Sequence, residues 1–265
     1  MQSETPSVYI YAIAFFSAVA FGIEARKASR ASTGISSLCL KWIDLVLFIF
    51  FTLAALQISR VAGGFVSGFA DTAQDAQEWY FAQGIVVQII FLAFIFLFAR
   101  TASEKIEFSE SFVSARKAAL LGLQYFFFIF PLFLIAYFWK LGLEGFCGLQ
   151  APQQDAVDIF FGLESFWGRF AAVLSVVILA PLFEEFFFRG LIYRIFKAYM
   201  PVVFSAMLTA VLFSAIHVNL YALLPIFLFS LLLTMVYERS GSIIAPVVLH
   251  SAFNLFNALN ILFDL

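Results

Sequence analysis

The sequence predicts an all-α fold, a polytopic membrane helical bundle of about eight transmembrane helices. Of its 265 residues, 63% are hydrophobic and 12% charged, against about 25% charged in an ordinary soluble domain. The mean hydropathy is +1.00. Apolar runs of about 17 to 22 residues recur along the chain, each long enough to cross a ~30 Å hydrocarbon core as a helix.

The expected spans, in order, are Ser7 to Ile23, Trp42 to Ile58, Tyr80 to Ala99, Ala118 to Trp139, Phe166 to Phe188, Pro201 to His217, Tyr221 to Tyr237 and Ile243 to Phe263. The first is read as a true span. Ala18-Val19-Ala20 resembles a small-residue cleavage site, but Glu4 precedes the run and no Lys or Arg does, unlike a secretory leader. Neither an internal repeat nor a long polar segment is visible, so residues 1–265 read as a single transmembrane domain. Asp155 to Glu164, with Phe160, Phe161 and Trp167 nearby, reads either as an interfacial helix at the outer surface or as a loop closing the bundle.

Charge orients the spans. Arg26, Lys27, Arg30 and Lys41 follow the first, Arg100, Lys105, Arg116 and Lys117 follow the third, and Arg194, Lys197 and Arg239 occupy later alternate turns. The opposite loops carry Arg60 and Lys140 among seven acidic residues, from Asp71 to Glu164. The positive-inside rule then places both termini outside. A net charge of −2 argues against nucleic acid as a partner. Cys39 and Cys147 have no ligand-like spacing and read as small apolar residues.

Within this apolar background lie the chain's two histidines, His217 and His250, and the segment Glu184-Glu185-Phe-Phe-Phe-Arg189. Ionisable side chains are costly in hydrocarbon, so their clustering marks a candidate site. On a helix Glu184 and Glu185 point about 100° apart and serve different roles. Glu185 and Arg189 stand at i, i+4 with the acid first, the favourable order for an ion pair. That pair is either an accessory to catalysis or a self-neutralising element that makes both charges tolerable. Glu184, lacking a partner on its own helix, suits a general base or acid, with a structural carboxylate bonded to another helix as the alternative.

Glu184 lies about 16 residues before the Met200-Pro201 turn and His217 about 16 after it, so an antiparallel hairpin sets both at a similar depth, ~24 Å from the turn. They can face one another. His250, nearer the Ser240-Gly241 turn, comes out shallower, at ~13 Å by the same rise. The mismatch implies that the fifth span continues as a helix through Lys197 below the membrane. His250 and Asn254 share a face at i, i+4 and offer two donors for an oxyanion. The competing role for such a stripe, preferred for Asn257 and Asn260, is polar glue between helices. Asp44 and Arg169 are expected to snorkel or reach an interface, and Ser205, Thr209 and Ser214 to serve packing.

Together these elements resemble the CPBP family, the CAAX proteases and bacteriocin-processing enzymes also called Abi. Its motifs E-E-x-x-x-R, F-x-x-x-H and H-x-x-x-N stand here as Glu184, Glu185 and Arg189, then Phe213 and His217, then His250 and Asn254. The resemblance covers about residues 166 to 258, read as the catalytic core. It implies a glutamate-type intramembrane endopeptidase in which Glu184 and His217 activate water. His250 and Asn254 would form the oxyanion hole, with Glu185, Arg189 and Phe213 in support. It also implies metal-free chemistry and no cofactor. Zinc on Glu and His is the alternative.

The implied partners are the lipid bilayer and a membrane-associated or lipidated protein or peptide substrate. The implied home is a bacterial inner membrane. A different class of function, a non-proteolytic immunity, transport or binding role using the same polar cluster, remains the alternative. The lack of a repeat between halves speaks against transport.

Overall fold

The computed structural model describes residues 35–67, 73–103, 106–108, 113–149, 163 and 165–263. Among them every regular element is helical: α1 (Trp42–Ser67), α2 (Ala73–Thr101), α3 (Ala115–Tyr125), α4 (Phe130–Cys147), α5 (Phe166–Val173), α6 (Ala180–Phe187), α7 (Arg194–Tyr199), α8 (Val202–Ala215), α9 (Leu220–Ser240) and α10 (Ile244–Phe263). The all-α expectation holds. The expected first span, and nearly all of Asp155 to Glu164, lie outside the described residues.

Among the described residues, five stretches are long and apolar enough to cross a membrane: Trp42–Ala62, Phe81–Thr101, Ala115–Cys147, Phe166–Tyr199 and Leu220–Ser240. The expected sixth span is shorter than its apolar run suggested. It is helical over 14 residues, Val202–Ala215, which at 1.5 Å per residue is about 21 Å. The expected eighth is a helix of 20 residues, Ile244–Phe263.

Local sequence sets the ends of these helices. Ser114, Ser165 and Asn219 accept hydrogen bonds from backbone N–H groups of the first turns of α3, α5 and α9, satisfying donors that a helix start leaves open. Gly148 and Gly241 close α4 and α9 at φ 64° and 65°, a left-handed conformation that costs glycine little. Between α3 and α4 the chain tightens into a 3₁₀ turn, Phe126–Ile129. Pro131 supplies the reason: it has no N–H to donate and its ring crowds the carbonyl four residues back.

The chain divides into two compact units made of interleaved segments, one taking in the described residues within 1–36, 109–152 and 199–249, the other those within 37–108, 153–198 and 250–265. In the first, α9 packs against α3, α4 and α8. Trp139 Nε1 donates to Leu220 O at 2.9 Å, fastening α4 to the start of α9. Ser205, Thr209 and Ser214 are buried and donate to carbonyls of the preceding turn, which lets polar side chains line a helix contact without an orphaned hydroxyl.

In the second unit, α2 packs against α1 and against the helix that begins at Phe166. Its core is built on Leu38, Leu40, Ile95, Phe98, Ile106 and Leu191. Of the two expectations for Asp44, snorkelling is not met. The residue is buried, where it accepts from Lys41 N at 2.9 Å and Ser103 N at 2.8 Å and from the Ser103 hydroxyl. Backbone and hydroxyl donors make that burial tolerable. Arg169 instead reaches back to Leu163 O at 2.8 Å.

Phe166 to Tyr199 is one continuous helical stretch of 34 residues, about 51 Å at 1.5 Å per residue. The fifth span therefore does run on past Lys197. It is not uniform: two π-helical segments, Leu174–Leu179 and Phe188–Tyr193, bracket α6, the short helix that carries both glutamates.

Candidate active site

Pro181 sits at the start of α6 and shapes the first π segment. Ala180 N–H donates to Ser175 O, five residues back, which releases Val176 O from its α-helical partner. The next possible donor along the helix is Pro181, which has no N–H. Asn254 Nδ2 fills the gap, donating to Val176 O at 2.8 Å. The second π segment holds Arg189 and Gly190. A Cβ on Gly190 would lie 2.7 Å from the Phe108 ring, so glycine allows that ring against the helix.

Glu185, between the π segments, and Arg189, in the second of them, are both fully buried. Arg189 Nη1 donates to Glu185 Oε1 at 3.0 Å, and His250 Nδ1 meets the same oxygen at 2.8 Å. The expected i, i+4 pair is thus extended from α10 into a three-residue cluster. On the far side of the imidazole, His250 Nε2 lies 3.8 Å from Glu184 Oε2, beyond hydrogen-bond range. Glu184 keeps 18% of its side chain exposed, whereas Glu185 keeps 0%. The two adjacent glutamates occupy different environments, one sealed into an ion-pair cluster and one partly exposed.

Because a carboxylate oxygen that also takes the arginine acts as acceptor, Nδ1 of His250 carries the proton. Nε2 then holds a lone pair in the neutral ring and a proton in the imidazolium. One amide hydrogen of Asn254 is committed to Val176 O, leaving the other for a ligand. Asn257 and Asn260 follow along α10, half-buried.

Phe213 and His217 belong to the other unit. α8 stops at Ala215, so His217 stands on the turn after the helix rather than on it, exposed. Its Nδ1 contacts Phe213 O at 2.7 Å, and the two rings lie 5.1 Å apart between centroids. A carbonyl can only accept, so Nδ1 carries the proton and Nε2 presents a lone pair. Val218 follows at φ 48°, a left-handed conformation unfavourable for a β-branched side chain. Such strain is characteristic of functional turns.

Sequence reasoning did not anticipate Gln88. It lies on α2, flanked by Val87 and Ile89, and its Oε1 accepts from the Ser175 hydroxyl at 3.1 Å. A carboxamide inside an apolar span was the available signal. Among the described residues no three His, Cys, Asp or Glu side chains are grouped as a metal ion would require.

Residues 166–256 match the family model described as type II CAAX prenyl endopeptidase Rce1-like. The segment includes every motif residue from Glu184 to Asn254, in agreement with the resemblance carried by the motifs. An uncharacterized 24.3 kDa protein of Escherichia coli is 33% identical over 107 residues, 38% of this chain and 49% of that protein. YbdJ of Lactococcus lactis subsp. lactis is 29% identical over 112 residues, 41% of this chain and 47% of that one. The chain spans about half the length of the curated relatives it matches. No solved structure matches.

Proposed function

We propose that this chain is an intramembrane endopeptidase of the glutamate type, hydrolysing a peptide bond in a membrane-associated or lipidated protein or peptide. The observation that carries the reading is the contrast within the glutamate pair, 18% exposure for Glu184 and 0% for Glu185. A general base must reach water and substrate; a side chain that orients its neighbours need not. The match of residues 166–256 to a CAAX prenyl endopeptidase family model supports the coarser reading of a membrane endopeptidase.

In the proposed reaction Glu184 and His217 hold a water molecule. Glu184 takes its proton as the oxygen attacks the peptide carbonyl, and that proton passes to the leaving amine as the C–N bond breaks. His217 accepts the water's hydrogen bond at Nε2, with Nδ1 tied to Phe213 O. Asn254 offers its second amide hydrogen to the oxyanion, and His250 offers Nε2 in its imidazolium form. Glu185 and Arg189 hold His250 in place. The home we assign is a bacterial inner membrane, with both termini outside, as the charge pattern directs.

The test is cleavage of candidate membrane peptides by the purified protein, with fragments identified by mass spectrometry. Glu184→Gln and His217→Asn are each expected to lower kcat by roughly 10²- to 10⁴-fold, the usual scale for losing a positioned acid or base. Cleavage that survives both substitutions overturns the assignment. Activity is expected to persist in strong chelator. Loss on chelation with recovery on adding zinc would replace this mechanism with a metal-assisted one.

A further inference from the structure

We infer that Gln88, outside the segment that matches the family, is a positioning residue for the hydrolysis proposed above: its hydrogen bond to Ser175 holds the π-helical segment that sets where Glu184 and Glu185 face. The inference rests on that reaction for its kinetic consequence and on the geometry alone for its structural one.

A π segment is rare and needs support from outside its own helix. Here two adjacent residues of Leu174–Leu179 receive it from two different helices. Asn254 on α10 takes the released carbonyl of Val176 at 2.8 Å. Gln88 on α2 takes the side chain of Ser175 at 3.1 Å. Several hydroxyls on other helices turn back to a carbonyl four residues earlier, as those of Thr52, Thr209 and Thr234 do. Ser175 is buried and reaches across to α2 instead. Removing Gln88 frees that hydroxyl to return to its own helix and withdraws one of the two supports.

The consequence is rotational. A π segment accommodates one residue more than the α-helix it replaces, and one residue is about 100° of helix. If Leu174–Leu179 relaxed to α geometry, the face of α6 would turn by about that angle relative to α5. The contact of Glu185 Oε1 with His250 Nδ1, now 2.8 Å, would break, and Glu184 would leave its place beside His250. Among the described residues the side-chain hydrogen bond of Gln88 goes to Ser175, and through it the influence reaches α6.

The experiment combines kinetics with nitrogen-15 NMR of the full-length protein labelled at histidine. The chain has only two histidines, and His217→Gln assigns the signals. In Gln88→Leu the Nδ1 proton signal of His250 is expected to shift or vanish while that of His217 stays. kcat should fall by roughly 100-fold or more, since a displacement of about 1 Å already costs about that much, with KM changed less than about twofold. Ser175→Ala should do the same, the double variant should be no worse than either single, and Ser175→Thr, which keeps the donor, should retain activity. A Gln88→Leu variant with an unaltered His250 signal and wild-type kcat overturns the inference, as do losses that multiply in the double variant. If the wild type cuts no peptide yet the His250 signal still depends on Gln88, the proposed reaction fails and the positioning role stands.

Discussion

At the scale of the residue, a single oxygen organises the candidate site. Glu185 Oε1 receives both Arg189 and His250, and all three side chains are buried. Burying an ion pair is not in itself stabilising, because the desolvation of two charges offsets their attraction. Stranding one of them is worse. Arg189→Leu is therefore expected to destabilise the protein by about 3–5 kcal/mol, read as a fall in the detergent denaturation midpoint. The double variant Glu185→Leu, Arg189→Leu should lose less than Arg189→Leu alone, since no buried carboxylate is left with only His250 beside it. A double variant as unstable as the sum of its singles would mean that the pair is not coupled. The intrahelical pair was legible from i, i+4 spacing. Its contact with His250 was not, because that depends on the azimuth of α6, and two π segments intervene in its helix.

At the scale of the element, packing explains where sequence patterns succeed and where they mislead. Long apolar runs located most of the helices, since burial and membrane contact both favour them. The runs could not show Phe126–Ile129 tightening to 3₁₀, nor Leu174–Leu179 widening to π, although Pro131 and Pro181 stood in the sequence as causes. The end of α8 was also missed, because Ile216 and His217 continue the apolar period while the backbone leaves it at Ala215. Glycines on the helices separate contact from mere presence. A Cβ on Gly122 of α3 would lie 2.4 Å from the backbone oxygen of Ala245 at the start of α10, whereas one on Gly142 of α4 meets nothing within 4 Å. Gly122→Ala forces the helices apart and should cost about 1–3 kcal/mol or more. Gly142→Ala fills open space and gains helix propensity, so it should stabilise by about 0.5–1 kcal/mol. Opposite shifts of Tm in detergent check the pair, and a Gly122→Ala protein as stable as wild type would show that α3 and α10 do not approach this closely.

At the scale of the whole molecule, two natural cysteines can report the direction in which the chain crosses the membrane. Cys39 and Cys147 are both exposed and unbridged. Between them along the chain lie Trp42–Ala62 and Phe81–Thr101, and Cys147 itself ends Ala115–Cys147. If each of these three stretches crosses once, the two thiols lie on opposite sides of the bilayer. Cys39 follows Arg26, Lys27 and Arg30 and precedes Lys41, so the orientation proposed above from the positive-inside rule predicts Cys39 in the cytoplasm and Cys147 outside. A membrane-impermeant maleimide is expected to label Cys147 in intact cells and Cys39 only after the membrane is opened, with Cys39→Ser and Cys147→Ser variants identifying each band. Labelling of Cys39 alone in intact cells would invert the orientation and carry the Met200-Pro201 turn to the outside. Equal labelling of both thiols from one side would show that one of the three stretches does not cross, and Ala115–Cys147, interrupted by its 3₁₀ turn at Phe126–Ile129, is where a span would re-enter.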